Sequence, residues 1–151
     1  MTRPCICGIA CRWVRGGRFA EAMTPQAASG GSPPLVAVVD DDPAVCSSLK
    51  FSLELEGFRV RTYGGGGELL RNADLAGVDC FVIDQRMPRM SGFELIVELR
   101  GRHIATPAIL IVSEPNIGLS ARAAKARVPI VEKPFLGNSL VDAIRAACMP
   151  G

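Results

Sequence analysis

Four short apolar runs in this chain each run into a polar residue that can do chemistry. Leu35–Val39 meets Asp40-Asp41-Asp42, and the run 79–83 meets Asp84. The run 107–112 meets Ser113, and the last, 129–131, leads to Lys133-Pro134. If these ends converge, three or four carboxylates share one crevice and repel each other. Their cheapest partners are a divalent cation and an ammonium group. Oxygen donors in modest number, with room for water and a phosphate, suit Mg²⁺ better than zinc.

The elements that would bring those ends together can be read from periodicity. Continuous apolar runs of this length are buried strands, and Phe58–Tyr63 alternates as a half-buried one. Between them lie helical patterns. The first opens with Asp42 as N-cap and Pro43 at the first position, and ends at Gly57. A short helix is expected over Glu68–Ala73, behind a poor start at Gly64–Gly67. Ser91 should cap a helix over 93–100, and further helices are expected over Ile117–Ala126 and Leu136–Cys148. Strands alternating with helices predict an α/β fold, a doubly wound five-stranded parallel sheet with helices on both faces. In such sheets ligands sit at the carboxyl ends of the strands.

At 151 residues, with 48% hydrophobic and 21% charged, the chain is long enough to bury a core and far from a disordered composition. No apolar run approaches the ~18–20 residues of a membrane span. The net charge of +2 comes from one end: residues 1–33 hold four Arg and one acid, and the remainder thirteen basic and fourteen acidic residues. The body therefore lacks the basic face of a nucleic-acid binder. Residues 1–33 read as a disordered extension closing in a Gly/Ser/Pro linker, with the domain over 34–149. Met23 is an alternative start. Cys5, Cys7 and Cys11 make a poor zinc site by ligand count, and Trp13 has no periodic context. Cys46 and Cys80 fall in apolar patterns as small hydrophobes, and scattered free cysteines without a secretory signal fit the cytoplasm.

The stretches VAVVDDDPAV (36–45), CFVIDQRMPRMSGFEL (80–95), PAILIVS (107–113) and VEKPF (131–135) resemble the receiver domain of bacterial two-component response regulators, nearest the nitrogen-fixation and nitrogen-regulation types. The resemblance spans 35–147 and implies the flavodoxin-like strand order 2-1-3-4-5. It also implies roles. Asp84 would be the phosphoacceptor, attacking a phosphohistidine on a histidine kinase or histidine phosphotransfer protein. Asp41 would bind Mg²⁺ directly and Asp40 largely through water, with Asp84 and the backbone carbonyl of Arg86 completing the metal shell. Lys133 would pair with Asp84 and then with the phosphoryl group, and Ser113 would bond it. The Lys133–Pro134 bond is a candidate cis peptide. Asp42 is only a cap, and His103 a solvent-exposed helix-end residue.

Departures from the family gather between Ser113 and Lys133. Ala126-Arg127-Val128 stands where Ala-Gly-Ala is usual, Ile130 stands at the aromatic switch position, and Glu114 follows Ser113 where a small residue is common. Glu114 is expected to repel a phosphodonor. Pro129 suggests an edge strand. With the chain ending at Gly151, a stand-alone receiver is expected, signalling by protein contacts to a downstream target, with a homodimer possible. The alternative is a degenerate receiver, a non-switching interaction module. A Mg²⁺-dependent phosphohydrolase is a third class, but its nucleophile typically lies on the first strand in D-x-D-x-[TV]; here Asp40-x-Asp42 runs into Pro43-Ala44.

Overall fold

Hydrophobic runs become strands here because helices cover both of their faces. The computed structural model describes residues 31–72, 74–135 and 137–148. The extension with Cys5, Cys7, Cys11, Trp13 and Met23 lies outside them up to residue 30. The strands are β1 (Leu35–Val39), β2 (Arg59–Tyr63), β3 (Cys80–Asp84), β4 (Ala108–Val112) and β5 (Ile130–Glu132). They pair in parallel in the order β2-β1-β3-β4-β5, the doubly wound arrangement expected. Every residue of β1, β3 and β4 is buried, which is why those runs show no polar alternation. The edge strand β2 keeps Arg59 exposed and alternates.

The helices are α1 (Pro43–Leu55), α2 (Gly66–Leu70), α3 (Gly92–Gly101), α4 (Ile117–Lys125) and α5 (Ser139–Cys148), with a 3₁₀ turn at Leu75–Gly77. Side chains alternate across each strand, so the core has two halves. On one face Val36, Val38, Cys80, Val82, Ile109 and Ile111 meet Cys46, Leu49 and Leu53 of α1 and Leu140, Val141 and Ile144 of α5. On the other, Ala37, Val39, Phe81, Ile83, Leu110 and Val112 meet residues of α2, α3 and α4, among them Leu69, Leu95, Leu99 and Leu119. Each fully buried Leu, Ile or Phe contributes on the order of 2 kcal/mol relative to an exposed one.

Caps set the helix ends. Asp42 accepts from Ala44 N at 2.9 Å at the start of α1, with Pro43 inside it as expected. Ser91 and Glu94 form a reciprocal capping box at the start of α3. Three helices close with the same paired bonds. Phe58 N reaches Leu53 O and Gly57 N reaches Glu54 O after α1; Ile104 and His103 repeat this on Leu99 and Arg100 after α3; Val128 and Arg127 repeat it on Ala123 and Ala124 after α4. This motif needs a left-handed residue just past the cap. Gly57 (φ +98) fills it without strain, but His103 (φ +65) and Arg127 (φ +60) fill it with a side chain attached.

Boundaries moved for identifiable reasons. Helix α2 starts at Gly66 and ends at Leu70, two residues earlier than the expected 68–73 start and short of its end. Glu68 Oε1 accepts from Gly64 N at 2.7 Å and so fixes the turn inside the glycine run. A Cβ at Gly66 would lie 2.9 Å from Met90 Sδ, so a glycine lets α2 approach α3. Strand β3 begins at Cys80 because Asp79 is occupied elsewhere: its carboxylate accepts from Leu35 N at 2.8 Å. Phe58 closes α1 rather than opening β2. Pro107 and Pro129, lacking N–H groups, stay outside their strands and offer carbonyls to Phe81 N and Leu110 N. β5 is the edge strand that Pro129 suggested. Leu136, expected in the last helix, lies outside the described residues.

Candidate functional site

Sheet register brings the polar strand ends level. Val39 pairs with Ile83, so Asp40 follows β1 beside Asp84 at the end of β3. Val112 pairs with Glu132, so Ser113 and Lys133 both lie one step beyond their strands. Asp40 and Asp84 are the buried charged residues among those described, 3% and 5% exposed. Asp40 is fixed from two sides. Its Oδ1 accepts from Asp42 N at 2.9 Å, and its backbone carbonyl accepts from the buried Cys46 thiol at 3.3 Å. Lys133 N donates to Val112 O at 2.8 Å, and the Lys133–Pro134 peptide is cis as expected. The lysine then reaches across the strand ends. Its Nζ lies 3.1 Å from Asp84 Oδ1 and 3.6 Å from Asp40 Oδ2.

The electrostatics are those of an acidic crevice held by one ammonium. Burial pushes the Asp40 carboxyl above its ordinary value; Asp84 and Asp41 push the same way, against the Asp42 N–H and Lys133. Burial alone would lower Lys133, but its hydrogen bond and attraction to Asp84, with the charge of Asp40, more than offset this and raise it. The lysine is therefore a cation at any physiological pH. Asp40 Oδ2 is left with no hydrogen-bond partner among the described residues. Its nearest charge is the Lys133 ammonium at 3.6 Å, too long for a hydrogen bond, and a buried carboxylate oxygen held so loosely is the kind of atom a cation satisfies. One carboxylate oxygen from each of Asp40, Asp41 and Asp84 lies within 4.8 Å of the others, so the cluster could hold a metal ion. All-oxygen donors with an exposed Asp41 suit a small hard cation that keeps water ligands.

Of the residues named from sequence, Asp40, Asp41, Asp84 and Lys133 are thus brought together. Ser113 sits exposed on the same sheet edge and its hydroxyl makes no hydrogen bond to described residues. Arg86 directs its side chain elsewhere: Nη2 lies 2.9 Å from Glu114 Oε1, both side chains 78% exposed. Glu114, the acid expected to repel a phosphodonor, is paired across the two loops. These loops and α4 border a groove of about 490 Å³ reaching Gln85, Asn116 and Arg122. Arg122 stacks 4.5 Å over the Phe93 ring. Ile130 is half-buried against the core. His103 is exposed at its helix end, as expected.

Two further residues shape the site. A Cβ on Gly92 would stand 2.5 Å from the carbonyl oxygen of Asp84 and 2.7 Å from Leu110 Cδ1. Glycine there lets α3 begin directly beneath Asp84, where Gly92 N donates to Gln85 O and Phe93 N to Gln85 Oε1. The glycine in the D-x-R-M-P-x-M-x-G run was the available signal. The Cys46 contact to the Asp40 backbone had none, since a cysteine in an apolar pattern reads only as core.

Residues 36–145 match the family model for the response regulator receiver domain. The C4-dicarboxylate transport transcriptional regulatory protein DctR of Rhodobacter capsulatus is 34% identical over 110 residues, 71% of this chain and 56% of DctR. The transcriptional regulatory protein FixJ of Rhizobium meliloti is 35% identical over 113 residues, 74% of this chain and 55% of FixJ. The chain thus spans about half the length of these curated relatives. The crystal structure of FixJ-N superposes with a TM-score of 0.70 at 34% identity, covering 76% of this chain and 93% of that one. The Vibrio cholerae chemotaxis protein CheY4 shares the fold, with a TM-score of 0.69 at 24% identity over 76% of this chain and 98% of that one. With its acidic strand ends, its bridging lysine and its 2-1-3-4-5 sheet, this chain belongs to the response regulator receiver domain family.

Proposed function

We propose that the chain is a phosphoacceptor in a histidine-to-aspartate relay, with Asp84 the residue phosphorylated. The observation that carries this is the bridge of Lys133 to two buried carboxylates, with the Asp40 oxygen on that bridge making no hydrogen bond among the described residues. An oxygen of Asp84 attacks the phosphorus of a phosphohistidine on a kinase or phosphotransfer protein. The new P–O bond forms as the P–N bond breaks, and the imidazole nitrogen keeps the electron pair and takes a proton. Asp40, Asp41, Asp84 and the Arg86 backbone carbonyl would hold Mg²⁺, which when bound neutralises charge on the transferring phosphoryl group. Lys133 holds Asp84 at rest and then follows the phosphoryl oxygens. The uncommitted Ser113 hydroxyl donates to one of them. Readout runs through protein contacts with a downstream target or a second copy, and any dephosphorylation is slow self-hydrolysis rather than turnover of substrates.

A second reading, a receiver that binds partners without switching, is favoured by Ile130. It packs half-buried where the family resemblance places a mobile aromatic. Incubation with acetyl phosphate and Mg²⁺, followed by intact mass, separates the two. Gain of one phosphoryl mass, absent in Asp84→Asn and in EDTA, is the result expected. No adduct while Mg²⁺ still binds would favour the second reading.

A further inference from the structure

At the opposite end of the sheet from the acidic crevice, two cysteines distant in sequence meet. Cys80 is the first residue of β3 and is fully buried. Cys148 is the last residue of α5 and is partly exposed, packed against the same half of the core. Both side chains lie on the same half of the core, where α5 packs on the start of β3. The Cys148 thiol also lies 4.0 Å from Asp79 O, the carbonyl directly before Cys80. Both are free thiols. We propose that Cys80 and Cys148 are an oxidisable pair whose disulfide ties the end of α5 to the start of β3.

The two sulfurs have different parts. Cys148 is partly open to solvent and Cys80 is fully buried; in the same direction, the neighbouring Cys80 thiol lowers Cys148 below its ordinary value, while Cys148 and burial raise Cys80. Cys148 is thus the exposed nucleophile and Cys80 the protonated resolving thiol behind it. With a peroxide as oxidant, Cys148 sulfur attacks one peroxide oxygen. The O–O bond breaks, hydroxide leaves and takes the Cys148 proton as water, and a sulfenic acid remains. Cys80 sulfur then attacks Cys148 sulfur. The S–O bond breaks and the hydroxyl leaves with the Cys80 proton as a second water. Two thiols and one peroxide become one disulfide and two waters.

Cys46 is the internal control. It is buried and its thiol is committed to Asp40 O, so it should stay reduced.

The test is made on the reduced full chain treated with hydrogen peroxide, alkylated and digested with trypsin, which places Cys80 on peptide 72–86 and Cys148 on peptide 146–151. The expected result is a cross-linked pair of these two peptides, loss of two hydrogens from the intact mass, and reversal by dithiothreitol. In Cys148→Ser, Cys80 should then remain alkylatable after unfolding. That variant changes a partly exposed residue and leaves the core thiol in place. Cys148 found as a sulfinic acid, or joined to Cys5, Cys7, Cys11 or another chain's Cys148 while Cys80 stays reduced, would overturn the proposal.

Discussion

Replacing Lys133 by Met tests whether the acidic crevice is a site under charge strain. Lys133 Nζ lies 3.1 Å from one buried carboxylate and 3.6 Å from another. At an effective dielectric of about 20, each attraction is near 5 kcal/mol before solvation is counted. The lysine is partly solvated, with 27% of its side chain exposed, so much of this gross attraction is offset by its lost hydration. Breaking a buried pair by removing one partner typically costs about 3–5 kcal/mol. At this half-open edge we expect about 2–4 kcal/mol in urea unfolding at neutral pH in EDTA. The pH dependence has a definite sign. Asp40 already has a raised folded-state value, and the lysine is one of the groups restraining it. Removing it raises Asp40 further. A carboxyl raised on folding binds more protons folded than unfolded, so its contribution falls as pH rises from the unfolded value of 3.8 through the folded one. Lys133→Met should therefore lose least near the acid end of that window and most at neutral pH. Saturating Mg²⁺ should restore part of the loss by linkage. Equal stability of Lys133→Met and wild type in EDTA at neutral pH would refute the reasoning, as would a deficit that neither acid nor Mg²⁺ reduces.

Three other substitutions probe the surroundings. Arg127→Gly removes a side chain from a left-handed position and should stabilise by about 1 kcal/mol, the left-handed cost of ~1–2 less the entropy glycine adds to the unfolded chain; a urea midpoint unchanged or lowered would refute it. Gly92→Ala must push α3 away from Asp84 O and should cost about 1–3 kcal/mol, with acetyl phosphate labelling lost before folding is; wild-type labelling would contradict that contact. Glu114→Ala breaks an exposed ion pair and should change stability by less than about 0.5 kcal/mol. It should also speed labelling by removing an acid from the loop beside Ser113; a slower rate would mean that Arg86, once freed, obstructs the site.

Local signals in the sequence carried the fold a long way. Four apolar runs and one alternating segment gave the five strands, and Asp42, Pro43, Gly57 and Ser91 marked helix ends where the backbone has unpaired groups to satisfy. The crevice was legible because its carboxylates and its lysine each sit one step from a buried run, and a parallel sheet must align such steps. Gly64–Gly67 misled because propensity counts against glycine in a helix, while the deciding terms were a Glu68 bond and close packing on Met90. Arg127 misled in another way. The missing glycine was visible, but the reason for glycine there is a backbone angle, which only the C-terminal bonding of α4 reveals.

Two pairings that escaped the sequence join elements far apart in the chain. Arg86 finds Glu114 across 28 residues, and Cys148 reaches the carbonyl before Cys80 across 69. Neither residue type announces a partner, because the pairing is fixed by how helices and loops dock on the sheet and not by local periodicity. The two pairs differ in what docking does to them. Arg86 and Glu114 remain in water, where screening leaves their attraction weak, so they bias access to the crevice without defining it. Cys80 is taken wholly out of water, and burial gives its contact with Cys148 a chemical consequence that an exposed pair would lack. The same logic explains Lys133, an ordinary surface lysine by composition. Its position beyond β5 turns it toward two carboxylates that the sheet has already buried, and their desolvation makes one ammonium group decisive for the site.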